Sequence, residues 1–151
     1  MKALVLAGYL VQKCLDEGLK ITNLKLQKML YFVQLRSIQV DGHELIEDDF
    51  EAWKFGPVIN KVYYAYCINA GLDIDQTEQY DGFHPSIPSY VNNVFYHFLN
   101  KSTWSMVRLT HRPEGAWAKN YIIGHRQIIS KSDIRDDALS MDKNQLVSGN
   151  A

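Results

Sequence analysis

The sequence predicts a mainly α, compact single-domain fold with one small, short-stranded β element, and three observations point there. Apolar residues recur at helical spacing, as in Leu4, Ala7, Val11, Cys14 and Leu15. Capping residues and glycines fall at the ends of such stretches. The octapeptide from Glu51 to Val58 breaks that pattern, because its aromatic content favours a strand. A chain of 151 residues fits one domain, and 46% hydrophobic against 22% charged residues is enough for a core and argues against wholesale disorder.

Taken in order, residues 2–17 read as a first helix closed by Gly18. Lys2 and the apolar run after it resemble a short signal sequence. The run is brief, however, and no small-residue cleavage site follows, so the amphipathic helix is preferred. No stretch is long enough to span a membrane. Thr22 or Asn23 caps a second helix running to about Gln39. In it Leu26, Met29, Leu30 and Val33 share one face, and Leu24, Tyr31 and Leu35 form another, nearly opposite. A helix apolar on two faces belongs at the centre of a domain. Asp41-Gly42 makes a turn, and Glu47, Asp48 and Asp49 form an acidic approach to the strand.

The strand is expected over 51–55 and to turn straight into a helix, with Gly56 supplying unusual backbone angles and Pro57 in the first helical turn. That helix covers about 58–69. Residues 71–86 read as a long loop. Pro88 opens a helix to about Asn100, and Ser102 or Thr103 caps a short one through Thr110, which Pro113 interrupts. Trp117 belongs to a following turn. Ile128-Ile129 form a candidate strand beside 51–53. Ser132 opens a last helix on Ile134, Ala138 and Met141, so the domain spans 1–139, and 140–151 reads as a flexible tail.

Chemistry is sparse. The five histidines form no H-E-x-x-H pattern and the two cysteines have no zinc-finger spacing, so neither a metal nor a cofactor is expected. The segment from Asp73 lacks the glycine and the terminal glutamate of a calcium loop. No nucleophile elbow, phosphate loop or dinucleotide fingerprint is present, and the chain is not expected to be an enzyme. Cys14 and Cys67 suit a reducing cytoplasm and read as small buried apolar groups. A net charge of −1 shows no global field for nucleic acid. Lys13, Lys20, Lys25, Lys28 and Arg36 do concentrate positive charge early, and helices with a small β element can be winged-helix-like. A DNA-binding regulator of a phage or prophage operon is therefore the alternative.

Several residues carry two readings. Lys28 should reach solvent or a carboxylate, or else be presented beside Tyr31 in a binding groove. His111, at a helix end, either hydrogen-bonds backbone near Pro113 or meets a partner. Trp53 and Trp117 are core anchors or interface residues. Tyr64 and Ile68 point away from the face formed by Ile59, Val62, Tyr63 and Tyr66, so they form a contact patch or lie under the 71–86 loop.

Three motifs also carry a resemblance. Ile21-Thr22 with the run from Leu24 to Tyr31, then Glu51-Ala52-Trp53-Lys54-Phe55-Gly56-Pro57-Val58, then Leu109-Thr110-His111 and Trp117 resemble the Panacea domain of SocA-like antitoxins and phage-associated GepA-like proteins. The resemblance covers about residues 4–139. Asn60, and Glu114-Gly115-Ala116 before Trp117, depart from it where prolines are common. It implies an antitoxin that neutralises a cognate toxin by direct binding, and a AAA+ protease as a second partner if bound toxin is handed on for degradation. The partner-binding candidates are Lys28, Tyr31, Trp53, Tyr64, Ile68, His111 and Trp117.

Overall fold

Helix α2 (Asn23–Asp41) is the axis of the molecule. The computed structural model describes residues 1–149, and α2 packs in it against α1 (Ala3–Asp16), α3 (Asn60–Tyr66), α4 (Ser89–Leu99), α5 (Thr103–Thr110) and α7 (Lys131–Ser140). A short α6 (Ala116–Asn120) lies between α5 and α7. The two-faced apolar pattern explains the placement. Leu26, Met29, Leu30, Tyr31, Phe32, Val33 and Leu35 are all fully buried. Phe32 stacks on Phe98 of α4 with ring centroids 4.4 Å apart.

The ends of α2 follow local chemistry. Thr22 accepts a hydrogen bond from the Lys25 N–H, and Gly42 takes a left-handed conformation after the last turn. Ser102 caps α5 in the same way. The cap of α7 is Ser130, two residues ahead of the expected Ser132, and it accepts from the Asp133 N–H.

The 51–58 segment differs from expectation. It does not run from strand into helix. It is a hairpin of β1 (Glu51–Trp53) and β2 (Gly56–Val58), with Glu51 opposite Val58, Ala52 opposite Pro57 and Trp53 opposite Gly56. Pro57 is tolerated because Ala52 spends its N–H on the Gln127 carbonyl, on the other side of β1. In this register Pro57 therefore faces away from β1 and owes the ladder no donor. Gly56 carries the positive φ, +115°, and helix α3 starts only at Asn60. The expected neighbour of β1 is present, since the Ile129 N–H donates to the Phe50 carbonyl and Glu51 bridges Ile128.

Residues 70–88 form the long loop, pinned at two places. Its Glu78 N–H donates to the Tyr66 hydroxyl, and the Tyr80 ring lies on Gly8 of α1, where a Cβ would come within 2.3 Å of it. The C-terminal segment is not a tail from residue 140. Met141, Leu146 and Val147 are buried in the core, and Gln39 donates to the Ala138 and Met141 carbonyls. The expectation of a flexible 140–151 tail is thus corrected through Val147, because those three side chains complete the apolar surface, and 150–151 lie outside the described residues. Among the described residues no helix is long and apolar enough to cross a membrane.

Candidate functional site

The three sequence motifs converge behind the hairpin. Lys28, fully buried on α2, reaches across to β2 and donates to the Pro57 carbonyl at 2.8 Å. Gln27 beside it accepts from the Ile59 N–H at 2.9 Å and donates to Asn23, which in turn donates to the Tyr63 carbonyl. A Cβ on Gly56 would lie 2.7 Å from the Thr110 hydroxyl and 2.8 Å from Lys28 Cε, so only glycine lets β2 approach this closely. The α2, hairpin and α5 motifs are thus parts of one packing problem.

Burial lowers the Lys28 ammonium to about 7, because no carboxylate compensates for the lost water. The expectations that Lys28 reaches solvent, finds a carboxylate or faces a groove are all corrected. Its chain is too enclosed by α2, β2 and α5 to leave, and a backbone carbonyl is its acceptor. Tyr31 is corrected in the same way. It is fully buried, and its hydroxyl donates to Asp137 of α7 at 2.5 Å. Burial, with Asp137 beside it, holds the Tyr31 phenol well above its ordinary range. Asp137 also accepts from Arg112 Nε and Nη2, at 2.9 and 2.6 Å, and from the Ala116 N–H. This buried, fully bonded carboxylate escaped the sequence reading, since its partners lie more than 20 positions away in the chain.

His111 ends α5, as expected, but it does not bond backbone near Pro113. Its ring stacks on Trp117 at 3.6 Å and 3°, and its buried Nε2 has no partner among the described residues. Burial, then Lys28 nearby, lowers its pKa and outweighs the helix end. Trp117 lies between His111 and Tyr121, and its indole N–H donates to the Trp53 carbonyl at 2.6 Å. His111 and Trp117, both half-buried, brace the hairpin from behind.

The front of the hairpin is open. A groove of about 620 Å³ runs between the hairpin turn, the start of α2, α3 and the start of α5, with Trp53, Phe55, Tyr63 and Trp104 as its aromatic lining. Phe55 and Trp104 meet edge to face at 5.4 Å, each with 43% or more of its surface exposed. Arg126 lies over the Trp53 ring at 3.7 Å and donates to the Tyr64 hydroxyl at 2.9 Å. Tyr64 and Ile68 are 56% and 79% exposed, so the 71–86 loop does not cover them. A second hollow, about 510 Å³, opens on the far side of Arg126 beside Tyr121 and Ile123.

Of the seven expected site residues, the structure puts Trp53, Tyr64 and Ile68 on this open side, His111 and Trp117 behind it, and Lys28 and Tyr31 inside. Phe55, Trp104 and Arg126 were missed. Helical phase signals Trp104, which lies about 200° around α5 from buried Met106. Arg126 sits in an irregular loop and has no such signal. Cys14 is buried and its thiol is pushed up to about 11, whereas Cys67 is exposed, contrary to expectation. The early cations form no open stripe: Lys25 donates to the Leu99 and Lys101 carbonyls, Lys13 pairs with Glu17, and Lys28 is buried.

A helical domain built on a central two-faced helix, with a short hairpin latched to it by a buried lysine, is the class these features define. The chain belongs to the family described as Antitoxin SocA-like, Panacea domain, whose model matches residues 26–118. It is 42% identical over 67 residues to Antitoxin SocA of Caulobacter vibrioides (strain NA1000 / CB15N), a match covering 44% of this chain and 36% of that protein, well under two thirds of the relative's length. No solved structure matches the chain.

Proposed function

We propose that this protein is the antitoxin of a toxin–antitoxin pair and neutralises its toxin in the cytoplasm by direct, non-catalytic binding through the front of the hairpin. The observation that carries this reading is the aromatic and cationic composition of that face: Trp53, Phe55, Tyr63, Trp104 and Arg126 line one groove, with exposed Tyr64 bonded to Arg126 beside it. Tryptophan, tyrosine and arginine are the side chains that dominate binding energy in protein interfaces. A stable complex needs roughly 1,200–2,000 Å² of total buried surface, and exposed Ile123 adds apolar area in the hollow on the far side of Arg126. Among the described residues the groove is lined by Lys54 and Arg126 but by no histidine, cysteine or carboxylate, which suits recognition better than acid–base chemistry.

The test is growth of a host induced for the reading frame adjacent to this gene, with and without this protein, while the level of the induced protein is followed by immunoblot. Arrest relieved by this protein at an undiminished toxin level supports direct blocking. Relief with a falling level, dependent on a AAA+ protease, favours proteolytic delivery instead. Arrest that this protein does not relieve contradicts the antitoxin reading.

A further inference from the structure

We infer that the groove in front of the hairpin receives an acidic segment of the partner toxin, in which an aromatic or branched aliphatic side chain lies next to a carboxylate. This rests on the functional reading above and adds the chemistry of the docking segment. Charge complementarity is the argument. The groove's charged lining consists of two cations, Lys54 and Arg126. Both rest on aromatic rings, Lys54 on Phe55 at 5.4 Å and Arg126 on Trp53 at 3.7 Å, and neither meets a carboxylate among the described residues. Arg126 spends one of a guanidinium's five N–H donors on Tyr64.

Three cations elsewhere in the fold already have their anionic or carbonyl partners. Arg112 has Asp137, Lys13 has Glu17, and Lys25 has two carbonyls. A cation held on a ring with most of its donors unspent is prepared for an incoming carboxylate. The acidic side chains of 47–51 line a separate hollow with Asn60 and Ile128, and do not compete for these two cations in the groove. Glu51 is engaged by the Trp53 and Asn60 N–H groups.

The apolar half of the segment follows from the rings. Phe55 and Trp104 stand edge to face at one wall, and Trp53 with Tyr63, 4.8 Å apart, at another. A side chain entering between them would be ringed by aromatic surface within reach of both cations. Single-stranded nucleic acid also favours aromatic platforms with basic side chains. Two cations on a chain of net charge −1 fall short of the funnel such a ligand needs, so a peptide segment fits better.

The experiment measures affinity by calorimetry between the purified adjacent-frame protein and the full chain, as wild type, Lys54→Glu, Arg126→Glu and Trp104→Ala, with the remote Lys143→Glu as control. Wild-type protein carrying a photo-crosslinking phenylalanine at position 55 maps the segment by mass spectrometry. The expected result is a loss of roughly tenfold or more for each groove variant and none for the control. The crosslinked peptide should hold Asp or Glu adjoining an aromatic or aliphatic residue. Lys54 is in the exposed turn, so Lys54→Glu keeps the test valid if Arg126→Glu disturbs its loop. Tight wild-type binding unaffected by the groove variants overturns this inference and leaves the antitoxin reading intact. No wild-type binding overturns both. An oligo-dT probe bound by wild type and lost in the same variants would replace the peptide with nucleic acid.

Discussion

The two sides of one hairpin are built on opposite rules. Behind it, each polar group is enclosed and most are matched: Lys28 to the Pro57 carbonyl, Gln27 to the Ile59 N–H, the Trp117 indole to the Trp53 carbonyl. In front of it, Phe55, Trp104 and Tyr64 stay exposed and Arg126 is held on a ring rather than by a carboxylate. Buried polar contacts fix a conformation, whereas tryptophan, tyrosine and arginine are the side chains that dominate binding energy where a surface does meet a partner. The difference teaches that one motif serves both sides: Lys28, Gly56 and Trp117 place the hairpin, while Trp53, Lys54 and Phe55 carry the face proposed for recognition.

The comparison breaks most severely at the support shared by both sides. Asp137→Ala would leave Arg112 without its carboxylate and the Tyr31 hydroxyl without an acceptor in the core. Removing one member of such a buried pair costs about 3–5 kcal/mol. Urea unfolding should show a loss of that size, and a loss under about 1 kcal/mol would mean that the network contributes little.

The next effect sharpens the back side through pH. Lys28 titrates near 7 when folded and at its ordinary 10.5 when unfolded. Between those values the unfolded chain keeps a proton that the folded chain has shed. Stability therefore rises with pH across that window, by about 1.4 kcal/mol per unit, and the penalty for the buried charge is present in full below it. From pH 7 to 9 the wild type should gain about 2–3 kcal/mol relative to Lys28→Met. His111, with its lowered pKa, acts in the same sense at more acidic pH, since the unfolded chain takes up its proton first. Parallel pH profiles for wild type and Lys28→Met would disprove the buried-amine assignment.

Gly56→Ala tests the close approach itself. A methyl group there meets Thr110 and Lys28 at a φ of +115°, and about 1–3 kcal/mol should be lost in thermal or urea unfolding. An unchanged midpoint would show that β2 can move away from α2 at little cost. Trp104→Ala should have the smallest effect on stability, within about 0.5 kcal/mol, because the ring is 54% exposed. The same variant should be among the most damaging to partner binding, and that divergence is what separates the front of the hairpin from its back.

Much of this architecture was legible in the sequence, and the misses share a cause. The two apolar faces of α2, its Thr22 cap and the glycines at 18 and 42 are local signals, and they placed the central helix correctly. Pro57 misled because a proline after glycine suits a helix start as well as an edge strand, and only the Gln127 contact to Ala52 separates the two. Leu146 and Val147 looked like a tail because two apolar residues among polar ones show no period. Within the site, helical phase turned Tyr64 and Ile68 away from the buried face but left open whether the 71–86 loop covers them, and the structure exposes both. Lys28 and Tyr31 were misjudged, because a carbonyl acceptor on β2 and a carboxylate on α7 leave no mark near position 28 or 31.

The most direct measurement is hydrogen–deuterium exchange of this protein, alone and saturated with the adjacent-frame protein. If the front of the hairpin binds the partner, protection should appear in peptides covering 53–56, 63–68, 103–105 and 122–127. The α7 segment 131–140 should exchange as before. Protection confined to α7 or to the C-terminal segment, with the hairpin turn unchanged, would contradict the assignment of the binding face.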